Sequence, residues 1–275
     1  MECLQELKQH YGDSEGYALY RMIMEECFGL SHTDILLGKD SQIPEDDKVR
    51  LDEITGRLLK NEPIQYILGY AMFYGHRFHV APGVLIPRPE TELLVYHALE
   101  KVQDMKLTQP AHILDIGTGS GCIAISMALA GCRASALDIS EDALTIASDN
   151  AGRLGAEVSF IRENILHPSD TKQQWDLIVS NPPYICLHET GNMERNVLEY
   201  EPIQALFVPD YEPFIFYKAI ASYALAHLYA GGWLCLEINE AFPDEIRDLL
   251  ASFGFLDITI IPDQYDKKRI ALAHI

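Results

Sequence analysis

Apolar positions in the first part of the chain recur at the spacing of an amphipathic helix. Cys3, Leu4, Leu7 and Tyr11 share one face, and Tyr17, Leu19, Ile23 and Cys27 form a second stripe. Thr33 and Asp34 are placed to cap a short helix that Gly38 stops. Pro44 opens another helix, with Leu51, Ile54 and Leu58 on its apolar side, and Asn61 to Pro63 end it. No strand pattern interrupts this stretch, so residues 1–68 are expected to form a small helical domain. Between Tyr70 and Ile86 the pattern turns to aromatic and β-branched residues broken by Gly75 and Pro82-Gly83. This predicts a β-hairpin, and residues 69–88 are expected to link the helical domain to a second, larger one.

From residue 89 to residue 275 an α/β domain is expected. Short buried strands are predicted at Ala111–Ile116, Ala134–Asp138, Val158–Ile161, Leu177–Val179 and Trp233–Ile238. Helical stretches separate them, at Ser120–Ala130, Glu141–Leu154 and Phe214–Tyr229. Short strands joined by helical crossovers imply a doubly wound, mostly parallel, Rossmann-like sheet. Phe255–Pro262 and Arg269–His274 are near enough in sequence to pair antiparallel at its end.

Composition narrows the partners. A chain of 275 residues, 48% hydrophobic, has enough apolar content for one catalytic domain and a smaller companion. A formal charge of −20 repels polyanions, and Lys267-Lys268-Arg269 is the one local basic cluster, so no direct nucleic-acid partner is expected. The six cysteines form no C-x-x-C pair, which argues against a disulfide framework and a metal site; they read as buried thiols. The longest nearly apolar run, Cys122–Cys132, is too short to span a bilayer, and the N-terminus lacks the order of a signal sequence. A cytoplasmic monomer without a membrane partner is expected.

Candidate chemistry gathers at the strand ends. Ile113–Gly121 reads as a buried strand, a glycine-rich turn and a helix, the place where open α/β sheets bind nucleotides. Its Gly117-Thr118-Gly119-Ser120-Gly121 has Cys122 where a dinucleotide fingerprint needs glycine, so a pyrophosphate site is disfavoured; a tight turn without ligand is the plain alternative. Asp138 ends the next strand, where an acid can accept hydrogen bonds from both ribose hydroxyls of an adenosine. It can also cap the following helix, although Ser140 is the better cap. Asn164 is placed for an adenine edge and Ile165 for its face, or both belong to an ordinary loop. Asn181-Pro182-Pro183-Tyr184 follows the strand Leu177–Val179. Two prolines fix φ and remove donors, so the turn presents carbonyl oxygens and the Asn181 side-chain oxygen as a rigid set of acceptors. Such a set holds the two N–H groups of a primary amide or exocyclic amine during in-line methyl transfer, with Tyr184 stacking on the planar group. A purely structural Pro-Pro turn is the alternative.

These motifs resemble the HemK-like peptide chain release factor glutamine methyltransferases. Besides the glycine loop and Asn181–Tyr184, the resemblance rests on Glu62-Pro63-Ile64-Gln65-Tyr66-Ile67-Leu68-Gly69 and Leu85-Ile86-Pro87-Arg88-Pro89-Glu90-Thr91-Glu92, and it spans nearly the whole chain. It implies an S-adenosylmethionine-dependent methyltransferase domain acting on the glutamine amide of the Gly-Gly-Gln motif in class 1 release factors. It also implies that Gly117–Gly121, Asp138, Asn164, Ile165 and Asn181 line the cofactor site, with Asn181, Pro182, Pro183 and Tyr184 as catalytic, acceptor-holding residues. The four-residue motif also occurs in enzymes that methylate adenine or guanine of RNA or DNA, which leaves a nucleic-acid amino-methyltransferase as the alternative. Two departures stand out: Asn164 replaces a frequent Asp, and Phe207–Pro213 replaces a glycine-rich stretch.

Overall fold

A computed structural model describes residues 2–275; Met1, the first residue of the expected helical domain, lies outside them. By packing, the chain forms two compact units, one of residues up to Tyr70 together with Glu194–Tyr200, the other of Ala71–Met193 and Glu201–Ile275.

The smaller unit contains helices α1 (Glu2–Tyr11), α2 (Asp13–Phe28), α3 (His32–Leu36), α4 (Glu45–Leu58) and α5 (Ile64–Leu68). Its core joins Leu7, Tyr20, Ile23, Met24, Leu51 and Leu58. The buried face of α2 therefore centres on Tyr20 and Met24 rather than on the expected Tyr17, which is half-buried. The cap of α3 is also corrected. Ser31 is its N-cap and Asp34 the reciprocal partner, a capping box that leaves Thr33 inside the helix. Segment Glu194–Tyr200, far along the chain, adds a helix to this unit, and the Tyr200 hydroxyl donates to the Lys60 carbonyl at 2.9 Å.

The strands β1 (Tyr70–Phe73), which lies in the larger unit from Ala71 on, and β2 (His76–His79) form the expected hairpin, around a Tyr74-Gly75 turn with φ positive at both residues. Phe73 and Phe78 are buried in this unit's core, so the hairpin is part of its packing as well as a connection. Next come α6 (Pro89–Asp104), β3 (His112–Ile116), α7 (Cys122–Leu129), β4 (Arg133–Asp138), α8 (Glu141–Leu154), β5 (Val158–Arg162) and β6 (Trp175–Ser180). The short strands β7 (Ile185–Cys186) and β8 (Phe207–Val208) pair with each other; between them in sequence lie α9 (Arg195–Tyr200), which belongs to the smaller unit, and α10 (Ile203–Leu206). The chain ends with α11 (Ile215–His227), β9 (Leu228–Glu237), α12 (Pro243–Phe253), β10 (Leu256–Pro262) and β11 (Lys268–His274).

The seven-stranded sheet runs β10-β11-β9-β6-β3-β4-β5. Its strands are parallel from β9 to β5, and β11 runs antiparallel to both β9 and β10. Because successive residues of a strand point to opposite faces, Ile113, Leu177, Val179 and Cys235 feed one core, and Leu114, Ile178, Leu234 and Leu236 feed another. Residues of α6, α7 and α8 pack in the first core and those of α11 and α12 in the second. This is the expected doubly wound architecture. All six cysteines are free; Cys27 and Cys132 are only half-buried, against the expectation that every thiol is buried.

Helices α1 and α2 cross so closely at Gly16 that an added Cβ would lie 2.6 Å from both the Leu7 carbonyl carbon and the Lys8 nitrogen. Backbone cannot yield as a side chain does, and overpacking costs up to about 3 kcal/mol, against roughly 1 kcal/mol that alanine gains over glycine in a helix. Gly16→Ala should therefore lose about 2 kcal/mol, read as a lower urea midpoint in the helical circular dichroism signal.

Candidate active site

The carboxyl ends of β5, β4, β3 and β6 stand side by side, and the candidate segments follow one from each. Hydrogen bonds tie these segments together. Gly117 and Thr118 donate their backbone N–H groups to the Leu137 carbonyl at 2.8 and 3.0 Å, strapping the glycine loop to β4. Asp138 then accepts from Gly119 N at 2.9 Å with one oxygen and from Ser140 N at 2.9 Å with the other. Its carboxylate thus shapes the loop directly, and Ser140 caps α8 by accepting from Ala143 N. Asn150, fully buried on α8, donates to the carbonyls of Ser120 and His79 and accepts from His79 N, which fixes the far end of the loop to the hairpin.

Gly117 and Gly119 have positive φ, and a Cβ added at either would meet no atom within 4 Å. At Gly121 the same Cβ would strike Ile125 and Ala147, so this glycine serves packing while the other two keep their backbone approachable. Beneath the loop lies Asp115, wholly buried, with Oδ2 accepting from the Thr118 hydroxyl at 2.6 Å and from Ala124 N at 3.2 Å. Its Oδ1 and the buried Ser120 hydroxyl have no hydrogen-bond partner among the described residues. Burial pushes the Asp115 carboxyl up to about 7, only partly offset by these two bonds. A bare glycine cradle, an acid at the neighbouring strand end and unsatisfied polar atoms beneath fit a cofactor that carries a ribose and a charged amino-acid moiety.

Just past β5 the Glu163 backbone N–H donates to the Asp138 carbonyl at 3.0 Å, which brings Asn164 beside the same strand end. Asn164 spends its side-chain oxygen on Leu166 N at 3.0 Å; Ile165 is 8% exposed and packs mainly into the core under α11. What these two residues leave open is the Asn164 NH2 group, a second lone pair on its oxygen and a small remaining surface of Ile165.

Beyond β6, the Ser180 hydroxyl donates to the Ile116 carbonyl at 2.6 Å, so the Asn181 turn is bonded to the strand that launches the glycine loop. Asn181 donates its Nδ2 to the Thr91 hydroxyl oxygen at 3.1 Å, and Thr91 donates to Glu237 at 2.7 Å. Among the described residues nothing donates to Asn181 Oδ1. Pro182 is buried, and Tyr184 reaches the other oxygen of Glu237 at 3.0 Å. The Tyr184 hydroxyl is therefore an anchor in the floor, while its ring packs partly against the core under α11. Asn239 donates to the Tyr184 carbonyl at 3.1 Å and to Glu189, which further stiffens the turn. Burial raises the Glu237 carboxyl, and burial raises Tyr184 well above the usual phenol range.

Thr91 belongs to the second upstream motif of the sequence, which gives it no role, and Glu237, Asn239 and Glu189 escape the sequence reading. For these last three the one visible signal is an acid closing an apolar strand, Leu234-Cys235-Leu236-Glu237. Near the exit of the turn, Cys186, His188 and Asp210 bring one ligand atom each within 4.8 Å of one another, although His188 and Asp210 already satisfy each other at 2.9 Å. Asp210 lies on the divergent Phe207–Pro213 stretch, which β8 attaches to β7 directly behind Tyr184.

Residues 2–69 match the PrmC N-terminal domain, and residues 91–200 match the methyltransferase small domain. A release factor glutamine methyltransferase of Bacteroides thetaiotaomicron is 43% identical over 273 residues, which cover 98% of this chain and 96% of that one. The chain belongs to the release factor glutamine methyltransferase family. Another member, from Flavobacterium psychrophilum, is 38% identical, covering 98% of this chain and 95% of its own. Among solved structures, the Thermus thermophilus 16S rRNA N2 G1207 methyltransferase in complex with AdoMet and guanosine superposes with a TM-score of 0.55 at 18% identity. It covers 74% of this chain and 49% of that one, and it shares the fold. S-adenosylmethionine is the cofactor of this family, and the cradle described above fits it.

Two substitutions check the cofactor side. Asp138→Ala removes the carboxylate that holds Gly119 and should weaken S-adenosylmethionine by about 1.5–3 kcal/mol in calorimetry, the scale for hydrogen bonds to a charged group. Asp115→Asn tests the buried acid. A carboxyl that titrates near 7 when folded and near 3.8 when unfolded binds more protons in the folded state between those values, so its burial costs stability as pH rises through that window. Asparagine keeps one acceptor for Thr118 and Ala124 and cannot ionise. The stability of Asp115→Asn relative to wild type, without cofactor, should therefore rise by about 2–3 kcal/mol between pH 5 and pH 8 in chemical denaturation.

Proposed function

We propose that this chain transfers a methyl group from S-adenosylmethionine to the side-chain amide nitrogen of the glutamine in the Gly-Gly-Gln motif of class 1 release factors. The observation that carries this reading is the direct bonding of the Asn181 turn to the strand of the glycine loop, Ser180 to Ile116. This bond supports reading the turn as the acceptor holder and the neighbouring loop as the cofactor cradle. The near full-length relatives named for release factor glutamine methylation support the choice of substrate.

When bound, S-adenosylmethionine supplies an electrophilic methyl group. The residues of the chain have a different task, because an amide nitrogen is a poor nucleophile whose lone pair is delocalised into its carbonyl. Asn181 Oδ1 and the carbonyl oxygens of the turn accept the two amide N–H groups, orient the nitrogen and ease its growing positive charge. After transfer, one N–H has been replaced by N–CH3 and the proton passes to solvent. Because Tyr184 is held in place by Glu237, its ring offers a fixed flank for the planar amide.

A glutamine amide alone discriminates poorly, so specificity must come from contacts remote from the reacting atom. We assign that role to the smaller unit and place the reaction in the cytoplasm, where a monomeric enzyme meets release factor without a nucleic-acid partner. Deleting residues 2–70 would be a poor test of that assignment, since Glu194–Tyr200 would lose the core against which it packs.

Labelled S-adenosylmethionine offered separately with release factor, tRNA, rRNA and duplex DNA should label release factor alone; label in a nucleic acid would replace this reading with the amino-methyltransferase alternative. Asn181→Ala should lower turnover by roughly 10²–10³-fold, as for one preorganised electrostatic partner, with a smaller change in cofactor affinity.

A further inference from the structure

A carboxylate buried on the acceptor side of the site has no cation bonded to it. Glu237, at the carboxyl end of β9, is 2% exposed and forms no ion pair among the described residues. Its side-chain partners are two hydroxyls, Thr91 at 2.7 Å and Tyr184 at 3.0 Å, and its own backbone carbonyl receives the Tyr217 hydroxyl at 3.4 Å. Burying a charge costs free energy that two hydroxyl hydrogen bonds offset only in part, so the placement of this acid calls for an end that it serves.

The polarity of the chain of bonds supplies one. Both Glu237 oxygens accept, Oε2 from Thr91 and Oε1 from Tyr184, so the single hydroxyl proton of Thr91 is committed to Glu237. The Thr91 oxygen can then only accept on its other side, and the group that meets it there must be a donor. That group is Asn181 Nδ2, at 3.1 Å. A carboxamide flipped by 180° would bring its oxygen against the Thr91 oxygen with no proton between them. We infer that Thr91 and Glu237 are positioning residues which, through a one-way chain of hydrogen bonds, hold the Asn181 carboxamide with its oxygen toward the acceptor amide. Thr91 is 3% exposed and stands in the first turn of α6, so the second upstream motif of the sequence reaches the reacting centre through this hydroxyl. Without the chain the carboxamide samples both orientations. The flipped one presents an NH2 group to a substrate that itself has only N–H groups to offer there.

This inference rests on the proposal that Asn181 holds the acceptor. Thr91→Val keeps the shape and removes the hydroxyl, and Thr91→Ala gives the same reading should valine not be accommodated. Turnover is expected to fall roughly 10–100-fold, the scale of a misoriented reacting geometry, with calorimetric affinity for S-adenosylmethionine and KM for intact release factor within about two-fold. Thr91→Ser restores the hydroxyl and should recover turnover to within about three-fold of wild type. In protein labelled with ¹⁵N-asparagine, the side-chain NH2 pair of Asn181, assigned by its loss in Asn181→Ala, should exchange with solvent more slowly in wild type than in Thr91→Val. Thr91→Val should add nothing to the loss already caused by Asn181→Ala, because residues acting through one group are not additive. Wild-type turnover in Thr91→Val alongside an impaired Asn181→Ala overturns the positioning chain alone, as does strict additivity of the two. Wild-type turnover in Asn181→Ala removes the acceptor site itself.

Discussion

Parallel pairing of β3 with β6 is the constraint on which the site depends. It sets Ile116 opposite Ser180, and the Ser180 hydroxyl closes the contact on the Ile116 carbonyl. The glycine loop and the Asn181 turn begin at the next residue on each side, so their relative placement is inherited from a central strand pair buried on both faces. A shift of one residue would turn every side chain of β6 to the opposite face and expose Leu177 and Val179 to the wrong core. Hydrophobic packing thus fixes the geometry of the chemistry, although none of the packed residues takes part in it.

The polar groups around this edge follow a common plan. Asp115 and Glu237 are both buried, lack an ion-pair partner among the described residues, and take a threonine hydroxyl as their shortest contact. Burial raises both carboxyls. A third buried acid, Glu201, is treated differently, since it accepts from the Arg88 guanidinium and from Ile86 N. Where a guanidinium is the partner the acid bonds a cation directly; where only hydroxyls are present, the acid dictates which way each hydroxyl points. The two acids of the second kind are the ones beside the cofactor loop and the Asn181 turn.

What the sequence makes legible has local causes. Buried strands appear as short apolar runs, Gly117–Gly121 as a turn without side chains, and Asn181–Tyr184 as two prolines that stiffen a loop; each signal lies within a few residues. Missing from that reading are α6, with its proline at the first helical position, and α12, in which only Ile246 and Leu250 are buried and the remaining pattern is polar. The polar floor of the site is hidden for a stronger reason. Thr91 and Glu237 are 146 residues apart and meet only because α6 and β9 are brought together by the sheet. The capping of α3 failed at a finer scale, where Ser31 competes with two equally good capping residues two and three positions later.

The smaller unit is not contiguous in sequence: it takes back Glu194–Tyr200 after more than a hundred residues of the larger one. During synthesis its N-terminal helices leave the ribosome first, yet their last packing element emerges about 130 residues later. At roughly 5–20 residues per second that is a delay on the order of 7–26 s. Over that interval the surface destined for Tyr200 stays uncovered, and the unit reaches its final form only once most of the larger one has been translated. Gene fusions or domain exchanges that treat residues 2–70 as a detachable cassette would carry that unfinished surface with them.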